Sequence, residues 1–321
     1  MAEKRQLRVE PLRWPWHLLT AALVLALGYS LYIAGKRVDY VWRWERIPQY
    51  LVSNEGDEIK APFDGFARIS ADGKSITISE LKGGAEQTLT GFKTVLVGQG
   101  DLVFQNDVLA KKPGIKAGPL LIGLWVTLKI SALSLALALV FGLIGGLARV
   151  AHNPTTRALA AGYVELIRGT PLLVQIFIAY FFLGTIFQLS AFTAGVAALA
   201  VFTGAYVAEI VRAGIEAIPK GQMEAARSLG MTAPQAMRHV VLPQALKQVL
   251  PPLAGQSINL VKDSSLVSVM ALTDLTKAGR EVVASTFSPF EVWFTVALMY
   301  LLLTGLLSIA VRRLERKMAH E

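Results

Sequence analysis

Long apolar runs recur along the chain at a length that suits membrane-spanning helices. A helix needs about 20 predominantly apolar residues to cross the hydrocarbon core of a bilayer. Six segments meet or approach that length: His17–Ala34, Leu120–Ala148, Leu172–Leu189, Ala191–Ile215, Pro252–Leu272 and Phe290–Val311. Lys36 and Arg37 follow the first run where a signal peptide would have a small-residue cleavage site, so we expect that helix to be retained. The pattern predicts an all-α integral membrane protein with six transmembrane helices.

Residues 35–118 show a different pattern, in which short alternating runs are bounded by turn residues. The runs include Phe66–Ile69, Ser75–Ile78 and Lys93–Val97, and Asp72-Gly73 is one of the intervening turn pairs. Alternation bounded by glycine and aspartate is typical of strands and hairpins. This stretch is therefore predicted to be a small β-rich insert between the first two spans.

Composition supports a membrane protein and excludes several other classes. Hydrophobic residues make up 53% of the 321 residues and charged residues only 17%, and the mean hydropathy is +0.48. The chain has no cysteine, so disulfides, thiolate metal sites and cysteine nucleophiles are excluded. The net charge of +9 suits basic cytoplasmic loops better than nucleic-acid binding, because no basic stripe is interleaved with aromatic residues.

The distribution of lysine and arginine predicts the orientation in the membrane. Basic residues are concentrated in the amino terminus, in the loops before the third and fifth spans, and in the tail after residue 312. With six spans these four segments share one side, which is expected to be the cytoplasm. Both termini are then cytoplasmic and the β-rich insert is extracytoplasmic. The predicted division is 1–34 for the amino terminus and first helix, 35–118 for the insert, 119–312 for the transmembrane core and 313–321 for the tail.

The loop 217–243 after the fourth span is longer than an ordinary helix connection and has its own helix signals. Residues Glu224–Leu229 favour a helix, and Gly230 suits its C-terminal cap. Thr232 and Gln235 have the spacing of a capping box for a second helix, which Pro243 is expected to end. These signals predict a compact helix–turn–helix, and they leave open whether it is an ordinary folded loop or a docking element.

The same loop resembles the signature loop of ABC importer permeases. The matching residues are Glu224, Ala225, Ala226, Gly230, Val240, Leu242 and Pro243, with valine at 240 where isoleucine is usual. In that family the loop docks on the cytoplasmic ATPase, so the resemblance implies that Glu224, Ala225, Ala226, Gly230, Leu242 and Pro243 couple this chain to an ATPase. The segments Arg168–Gln175, Gly204–Ile215 and Lys262–Leu266 look like those of permeases for histidine, glutamate, glutamine and arginine.

The resemblance covers roughly residues 119–312 and implies a five-helix permease core, to which this chain adds one helix and the insert. It implies a bacterial inner-membrane, multi-pass transporter subunit that is not itself an enzyme. The implied partners are a cytoplasmic ATPase dimer, a second permease that is identical or a sister, an extracytoplasmic amino-acid-binding protein, the amino-acid substrate and membrane lipid, with no nucleic acid. No cofactor is expected in this chain, because ATP and Mg would be bound by the ATPase.

Polar residues within two predicted spans are the candidate substrate-binding residues. Ionisable groups at membrane depth are costly and usually face the interior of the bundle. The candidates are Tyr206, Glu209, Gln256, Asn259, Lys262 and Asp263. A carboxylate at 209 or 263 could bind the ammonium of an amino acid, and Lys262 could bind its carboxylate. Two other interpretations stay open: Lys262 neutralises a neighbouring carboxylate, or some of these groups lie at the cytoplasmic end.

Two other functional classes compete with the importer permease. A channel or ion-coupled carrier would need no ATPase, and it would not require the loop 217–243. A membrane enzyme would need catalytic motifs, but the chain lacks a Gly-x-Ser-x-Gly elbow and a His-Glu-x-x-His pair. It also lacks the Gly-x-x-x-x-Gly-Lys-Ser/Thr phosphate loop, so an ATP-driven machine would need a separate ATPase subunit.

Overall fold

The computed structural model describes residues 14–37, 40–81 and 83–319, and it divides into two compact units. The first unit ends at Trp44 and contains helix α1 (Trp14–Arg37), whose stretch from Leu18 to Arg37 has a mean hydropathy of 1.9. Near the end of this unit the rings of Trp42 and Trp44 stack with centroids 5.8 Å apart. The basic amino-terminal residues before Trp14 and the last two residues of the predicted tail lie outside the described residues.

The second unit begins at Glu45 and contains eleven further helices among its described residues. These are α2 (Ile47–Leu51), α3 (Pro119–Arg149), α4 (Pro154–Arg168), α5 (Leu172–Phe177), α6 (Gly184–Phe187), α7 (Ala191–Glu216), α8 (Lys220–Ser228), α9 (Ala233–Ala236), α10 (Leu242–Asp263), α11 (Leu275–Thr286) and α12 (Pro289–Ala319). A π-helical segment, Ile178–Leu183, joins α5 to α6, and another, Met237–Val241, joins α9 to α10. A 3-10 segment, Ser264–Val269, continues α10.

Seven antiparallel strands lie between α2 and α3 and form two sheets. They are β1 (Val52–Lys60), β2 (Gly65–Ile69), β3 (Ser75–Glu80), β4 (Glu86–Thr90), β5 (Thr94–Val95), β6 (Leu102–Val103) and β7 (Val108–Ala117). One sheet has the order β1-β7-β5 and the other β4-β3-β2-β6. Alternate side chains of both sheets, including Ala67, Ile76, Ile78 and Leu109, are fully buried in one shared core. We call residues 52–117 the β segment.

Helix α2 fixes the β segment to one end of the helix bundle. Ile47 lies in a buried cluster with Leu120 of α3, Leu275 of α11 and Val292 of α12. At the entry to α3, the Gly118 amide donates to the Leu51 carbonyl at 2.7 Å. A Cβ atom at 118 would lie only 2.3 Å from the carbonyl oxygen of Tyr50, so this close junction requires glycine. The β segment is thus held by contacts with three helices as well as by the chain itself.

Helices α3 and α7 pack in parallel through small residues. Gly142 of α3 contacts Val207 of α7, Gly146 contacts Val211, and Gly195 near the start of α7 contacts Ile130. Because the contacts advance in the same direction along both helices, the two C-terminal ends lie together. Small residues four positions apart permit such close helix approach in membranes. Since the β segment enters the start of α3 and the loop 217–243 leaves the end of α7, they lie at opposite ends of the bundle.

The number of helices that could cross a membrane is four or five by length and hydropathy among the described residues. The four are Leu18–Arg37, Pro119–Arg149, Ala191–Glu216 and Pro289–Arg313. The fifth would combine α4 with the stretch Leu172–Phe187, two pieces bent by 101°. Pro171 accounts for the break, because a proline disfavours helical conformation in the preceding residue. The six-span arrangement therefore stays a prediction.

The predicted fifth span, Pro252–Leu272, has different boundaries in the structure. Helix α10 begins ten residues earlier, at Leu242, and runs through Pro251 and Pro252 without ending. Prolines inside a helix remove backbone hydrogen bonds, which neighbouring helices can compensate in membrane bundles. Packing of Val249 and Leu260 against neighbouring helices supports the continuous helix on both sides of the two prolines.

Candidate functional site

The loop 217–243 folds as the predicted helix–turn–helix. Helix α8 ends at Ser228, and Gly230 follows in the left-handed region with φ +87°. The Gly230 amide donates to the Arg227 carbonyl at 3.0 Å, and the Met231 amide donates to the Ala226 carbonyl at 3.2 Å. These bonds satisfy carbonyls at the end of α8, and a positive φ strongly favours glycine at this cap. The cap predicted at Gly230 is confirmed.

In the second half of the loop, the predicted capping box is present, but the predicted end of the helix at Pro243 is not. The Thr232 amide donates to the Gln235 side chain at 2.8 Å, and the predicted capping box is complete. Pro243, however, does not end the second helix. Helix α9 passes through the π segment directly into α10, where Pro243 lies in the first turn. The π turn, in which the Leu242 amide donates to the Met237 carbonyl five residues back, lets the helix continue through a residue that has no amide hydrogen.

The signature residues form an exposed surface over a buried support. Glu224, Ala225, Gly230 and Pro243 are exposed, whereas Ala226 is only 4% exposed and Leu242 is half-buried. Leu229 is 83% exposed, directly before the capping glycine, and the sequence analysis did not single it out. The sequence contains a signal for this residue, because Leu229 is a large apolar residue among the polar residues of the loop. Exposed apolar side chains at a rigid turn favour docking of another protein.

The loop is packed firmly against the ends of α7 and α10. Val211 and Ile215 of α7, Ile218 of the loop, and Ala245 and Val249 of α10 form one buried cluster. Gly214 lies so close to Val249 that a Cβ atom at 214 would be 2.1 Å from the valine methyl. Such a packed contact transmits displacement, because interiors at this density deform little. A force applied to the loop therefore acts on both helices.

Glu209 of α7 lies among three arginines from three helices. Arg212 donates to both of its carboxylate oxygens, at 3.1 and 2.5 Å. The Nη1 atoms of Arg149, at the end of α3, and Arg168, at the end of α4, lie 3.0 and 3.9 Å from Glu209 Oε2. We call these four residues the arginine cluster. Glu216 adds a second carboxylate on Arg212, so the five groups carry one net positive charge.

Tyr206 belongs to the same end of α7 as the arginine cluster. The Arg168 guanidinium lies 5.1 Å from the centre of the Tyr206 ring, which is a cation–π distance. The centroid of the Phe202 ring lies 5.0 Å from that of Tyr206. Tyr206 and Glu209, both predicted from the sequence, are thus brought together with Arg149, Arg168 and Arg212. The carboxylate of Glu209 is already engaged by guanidinium donors.

The four candidates on α10 form a second, separate group. Asn259 and Lys262 are exposed, and Gln256 and Asp263 are half-buried. The exposed positions Pro252, Gly255, Asn259 and Lys262 follow a spacing of three, four and three, so they share one face of the helix. A polar helix face of this kind is costly against lipid and suits a hydrated path or a facing protein surface.

Packing contacts place Lys262 and Glu209 at different levels of the bundle. Val249 lies beside Gly214, and Val267 lies beside Gly195, so α10 runs antiparallel to α7. Interpolation between these contacts places Lys262 near the level of residue 200, roughly nine residues or about 13 Å from Glu209 along α7. The same interpolation places Gln256 close to the level of Tyr206. The α10 candidates therefore extend from the level of Tyr206 and Glu209 to a level about 13 Å further from the loop.

A cavity of about 310 Å³ lies between α4, α5 and α7, and it does not match a zwitterion. Its lining is almost entirely apolar, including Ile167, Val174, Ala198 and Val201. The Gln175 amide nitrogen, also in the lining, donates to the Ile167 carbonyl at 2.7 Å and to the Thr170 hydroxyl at 2.7 Å. A charged amino acid would find no ionic partner among these residues.

Comparison with known families decides the identity of the helical part. The sequence model of the family "binding-protein-dependent transport system inner membrane component" matches residues 138–320. The chain belongs to this family. The match includes the loop 217–243, the arginine cluster and the polar face of α10, so the resemblance inferred from the signature residues is confirmed. The family model begins inside α3, and α1 and the β segment lie outside it.

Relatives of this transport component include permeases that are named for an amino-acid substrate. It is 43% identical over 204 residues to the glutamine transport system permease protein GlnP of Escherichia coli (strain K12), covering 62% of this chain and 93% of that one. It is 45% identical over 197 residues to the probable glutamine ABC transporter permease protein GlnM of Bacillus subtilis (strain 168), covering 61% and 91%.

Solved structures show the same fold for the transport component. The crystal structure of an amino acid ABC transporter with histidines has a TM-score of 0.58 and 41% identity, covering 62% of this chain and 94% of that chain. The inward-facing MetNI methionine ABC transporter has a TM-score of 0.57 and 25% identity, covering 62% and 96%. In both comparisons more than a third of this chain has no counterpart.

Proposed function

We propose that the chain is the permease subunit of an ATP-driven, binding-protein-dependent importer of polar amino acids. The observation that carries the proposal is the loop 217–243, an exposed helix–turn–helix with Leu229 at its tip, packed against α7 and α10. Family membership and the similarity to glutamine permeases support the same function. The partners would be a cytoplasmic ATPase dimer that binds ATP and Mg, a second permease, identical or a sister, and an extracytoplasmic binding protein.

We further propose six membrane-spanning helices, with both termini in the cytoplasm and the β segment outside. The opposite placement of the β segment and the loop 217–243 on the helix bundle supports this arrangement. The concentration of lysine and arginine on the loop side points the same way. In this arrangement α10 with its 3-10 extension forms the least apolar span, and its polar face lines the translocation path.

The polar face of α10 is the proposed substrate contact. Lys262 would bind the carboxylate of the amino acid, Asp263 its ammonium, and Asn259 and Gln256 its polar atoms. Glu209 would act about 13 Å, and Tyr206 about 9 Å, closer to the cytoplasmic end of the path than Lys262. Glu209 is the weaker ammonium acceptor of the two carboxylates, since its oxygens already accept from Arg212.

Coupling follows from the packing of the loop. ATP-driven closure of the ATPase dimer would move α8 and α9, and the Gly214–Val249 contact would pass this motion to α7 and α10 together. The polar face of α10 would then be reoriented between the two sides of the membrane. No cofactor is needed in this chain for that movement.

The test is a charge placed at the tip of the loop. Leu229→Asp should abolish ATPase docking and substrate-stimulated ATP hydrolysis, while the protein stays in the membrane. Leu96→Asp is the matched control, because Leu96 is 51% exposed in the β segment, at the other end of the bundle. Co-purification of the ATPase and uptake of radiolabelled glutamine in vesicles are measured for both variants. Normal uptake by Leu229→Asp would refute the coupling role.

A further inference from the structure

The outward side of the sheet β4-β3-β2-β6 has a composition unlike the rest of the β segment. The strand register aligns Glu86, Ser79, Phe66 and Leu102 in one row across the sheet, and Thr88, Thr77 and Arg68 in the next. Ser75 and Thr90 pair in a third row. Five of these nine side chains carry hydroxyls and two are large and apolar. We call this surface the hydroxyl face.

The hydroxyl face is regular and exposed. Phe66 is 46% exposed and the adjacent Leu102 is 48% exposed. The Thr77 and Thr88 hydroxyls are 3.0 Å apart across β3 and β4, and the Ser79 hydroxyl donates to Glu86 at 2.9 Å. These cross-strand bonds stabilise the sheet, which presents a flat surface with fixed side chains. The face also carries Arg68 and Glu86, and its exposed aromatic side chain, Phe66, is of a type enriched at protein–protein interfaces.

The other sheet of the same domain provides a contrast. Its outward side carries charged residues, among them Glu58 and Lys60, whose side chains are 3.8 Å apart, and Lys116 beside Asp57 at 2.5 Å. The Lys116 ammonium holds the pKa of Asp57 below its ordinary value. Such paired surface charges are typical of a solvated face. The hydroxyl face differs from this sheet in its rows of hydroxyl side chains beside an exposed aromatic ring, although the other sheet also exposes one apolar residue, Ile115, at 79%.

We propose that the hydroxyl face docks the extracytoplasmic binding protein of this transport system. This inference rests on the proposed function. The family depends on a binding protein, and the β segment lies at the end of the bundle opposite the ATPase-coupling loop. Because α2 and Gly118 seat the β segment on α3, α11 and α12, a protein bound there is held at a fixed position over the permease. The partner surface would be weakly charged, with hydroxyl or backbone acceptors and a small apolar contact for Phe66.

The size of the face favours a transient partner over a second copy of this chain. Four strands and five residues give a face of roughly 14 by 17 Å, or about 240 Å². A weak or transient complex buries less than about 600 Å² on each partner, whereas obligate dimers bury far more. The face is large enough to supply part of a transient interface and too small to supply the interface of an obligate dimer.

The test measures stimulation of ATP hydrolysis by the binding protein in the complete transporter, reconstituted in nanodiscs. Phe66→Glu and Thr88→Glu should raise the concentration of binding protein that gives half-maximal stimulation about tenfold or more. Basal hydrolysis and the rate at saturating binding protein should stay unchanged. Thr94→Glu is the matched control, because Thr94 is exposed on the outward side of the other sheet. It should leave the half-maximal concentration unchanged.

The outcomes separate this proposal from the proposed function. If the wild-type transporter is not stimulated by its binding protein, the proposed function fails, and docking fails with it. If the wild type is stimulated and both hydroxyl-face variants behave like Thr94→Glu, only the docking proposal fails. A photo-crosslinking residue at position 77 gives a second readout. Cross-linking to the purified binding protein supports the proposal, and cross-linking only to a second permease or to lipid overturns it.

Discussion

Replacing Gly142 by alanine should loosen the packing of α3 on α7. A Cβ atom at 142 would lie 2.2 Å from the Val207 Cγ1 atom, 2.3 Å from its Cβ and 3.0 Å from the Gly204 carbonyl oxygen. Ordinary carbon–carbon contacts are about 3.5–4.0 Å. Val207 cannot move aside easily, because a helical valine strongly prefers one rotamer and its own Cβ is part of the clash. The two helices must therefore separate by more than an ångström.

The expected cost follows from these distances. Overpacking costs about 1–3 kcal/mol, and the backbone and Cβ contacts place Gly142→Ala at the upper end. Alanine stabilises a helix by about 0.5–1 kcal/mol relative to glycine, so the net loss in the free energy of unfolding is about 2 kcal/mol. At about 2–4 °C for each kcal/mol, the midpoint of thermal unfolding in detergent should fall by about 4–8 °C. Size-exclusion chromatography of samples heated to different temperatures measures this midpoint.

Two other glycines make the experiment a graded series. A Cβ atom at Gly145 would lie 3.1 Å from the Ala208 Cβ atom, and one at Gly162 would meet nothing within 4 Å. Gly145→Ala should therefore be nearly neutral, and Gly162→Ala neutral or slightly stabilising. If Gly142→Ala has the same midpoint as Gly162→Ala, the parallel packing of α3 on α7 is wrong at this position.

Three further predictions concern charge and topology. Glu209→Gln leaves three arginines around a neutral amide and should cost about 2 kcal/mol of stability, against about 0.5 kcal/mol for the more exposed Glu216→Gln, both measured by heating in detergent. An equal effect of the two would contradict the central place of Glu209. Lys262→Met should reduce uptake of radiolabelled amino acid at least tenfold without changing basal ATP hydrolysis; a parallel fall in both would assign Lys262 to assembly. In this cysteine-free chain, Ser75→Cys should react with an impermeant thiol reagent from outside and Ala233→Cys only from the cytoplasm, and the reverse pattern would overturn the orientation.

Local signals in the sequence predicted the local geometry of the coupling loop well. The cap at Gly230 and the capping box at Thr232 depend on atoms within five residues, so spacing alone identifies them. The end of the second helix at Pro243 was predicted wrongly by the same local logic. There the chain continues through a π segment, stabilised by packing of Val241 and Ala245 in the cluster with α7.

Contacts between distant residues were beyond the reach of pattern reasoning. Glu209 stands out in the sequence as a charged residue in an apolar helix, but its partners Arg149 and Arg168 lie 60 and 41 positions away in the chain. Only the parallel arrangement of α3 and α7 brings the end of α3 to Glu209. The hydroxyl face also depends on contacts between distant residues, since Phe66 and Leu102 are neighbours because of the strand order and not because of sequence proximity.

Three glycines fix α3 to its neighbours near both of its ends. Toward the loop, Gly142 and Gly146 pack α3 against α7; at the other end, Gly123 lies against Ala278 and the backbone of Leu275 in α11. With 31 residues, α3 is a rod of about 46 Å that connects the two ends of the bundle. In the proposed coupling, displacement of α7 would therefore move the whole bundle together with the β segment at its far end. In the proposed permease dimer, the gate would lie at the seam between the two subunits.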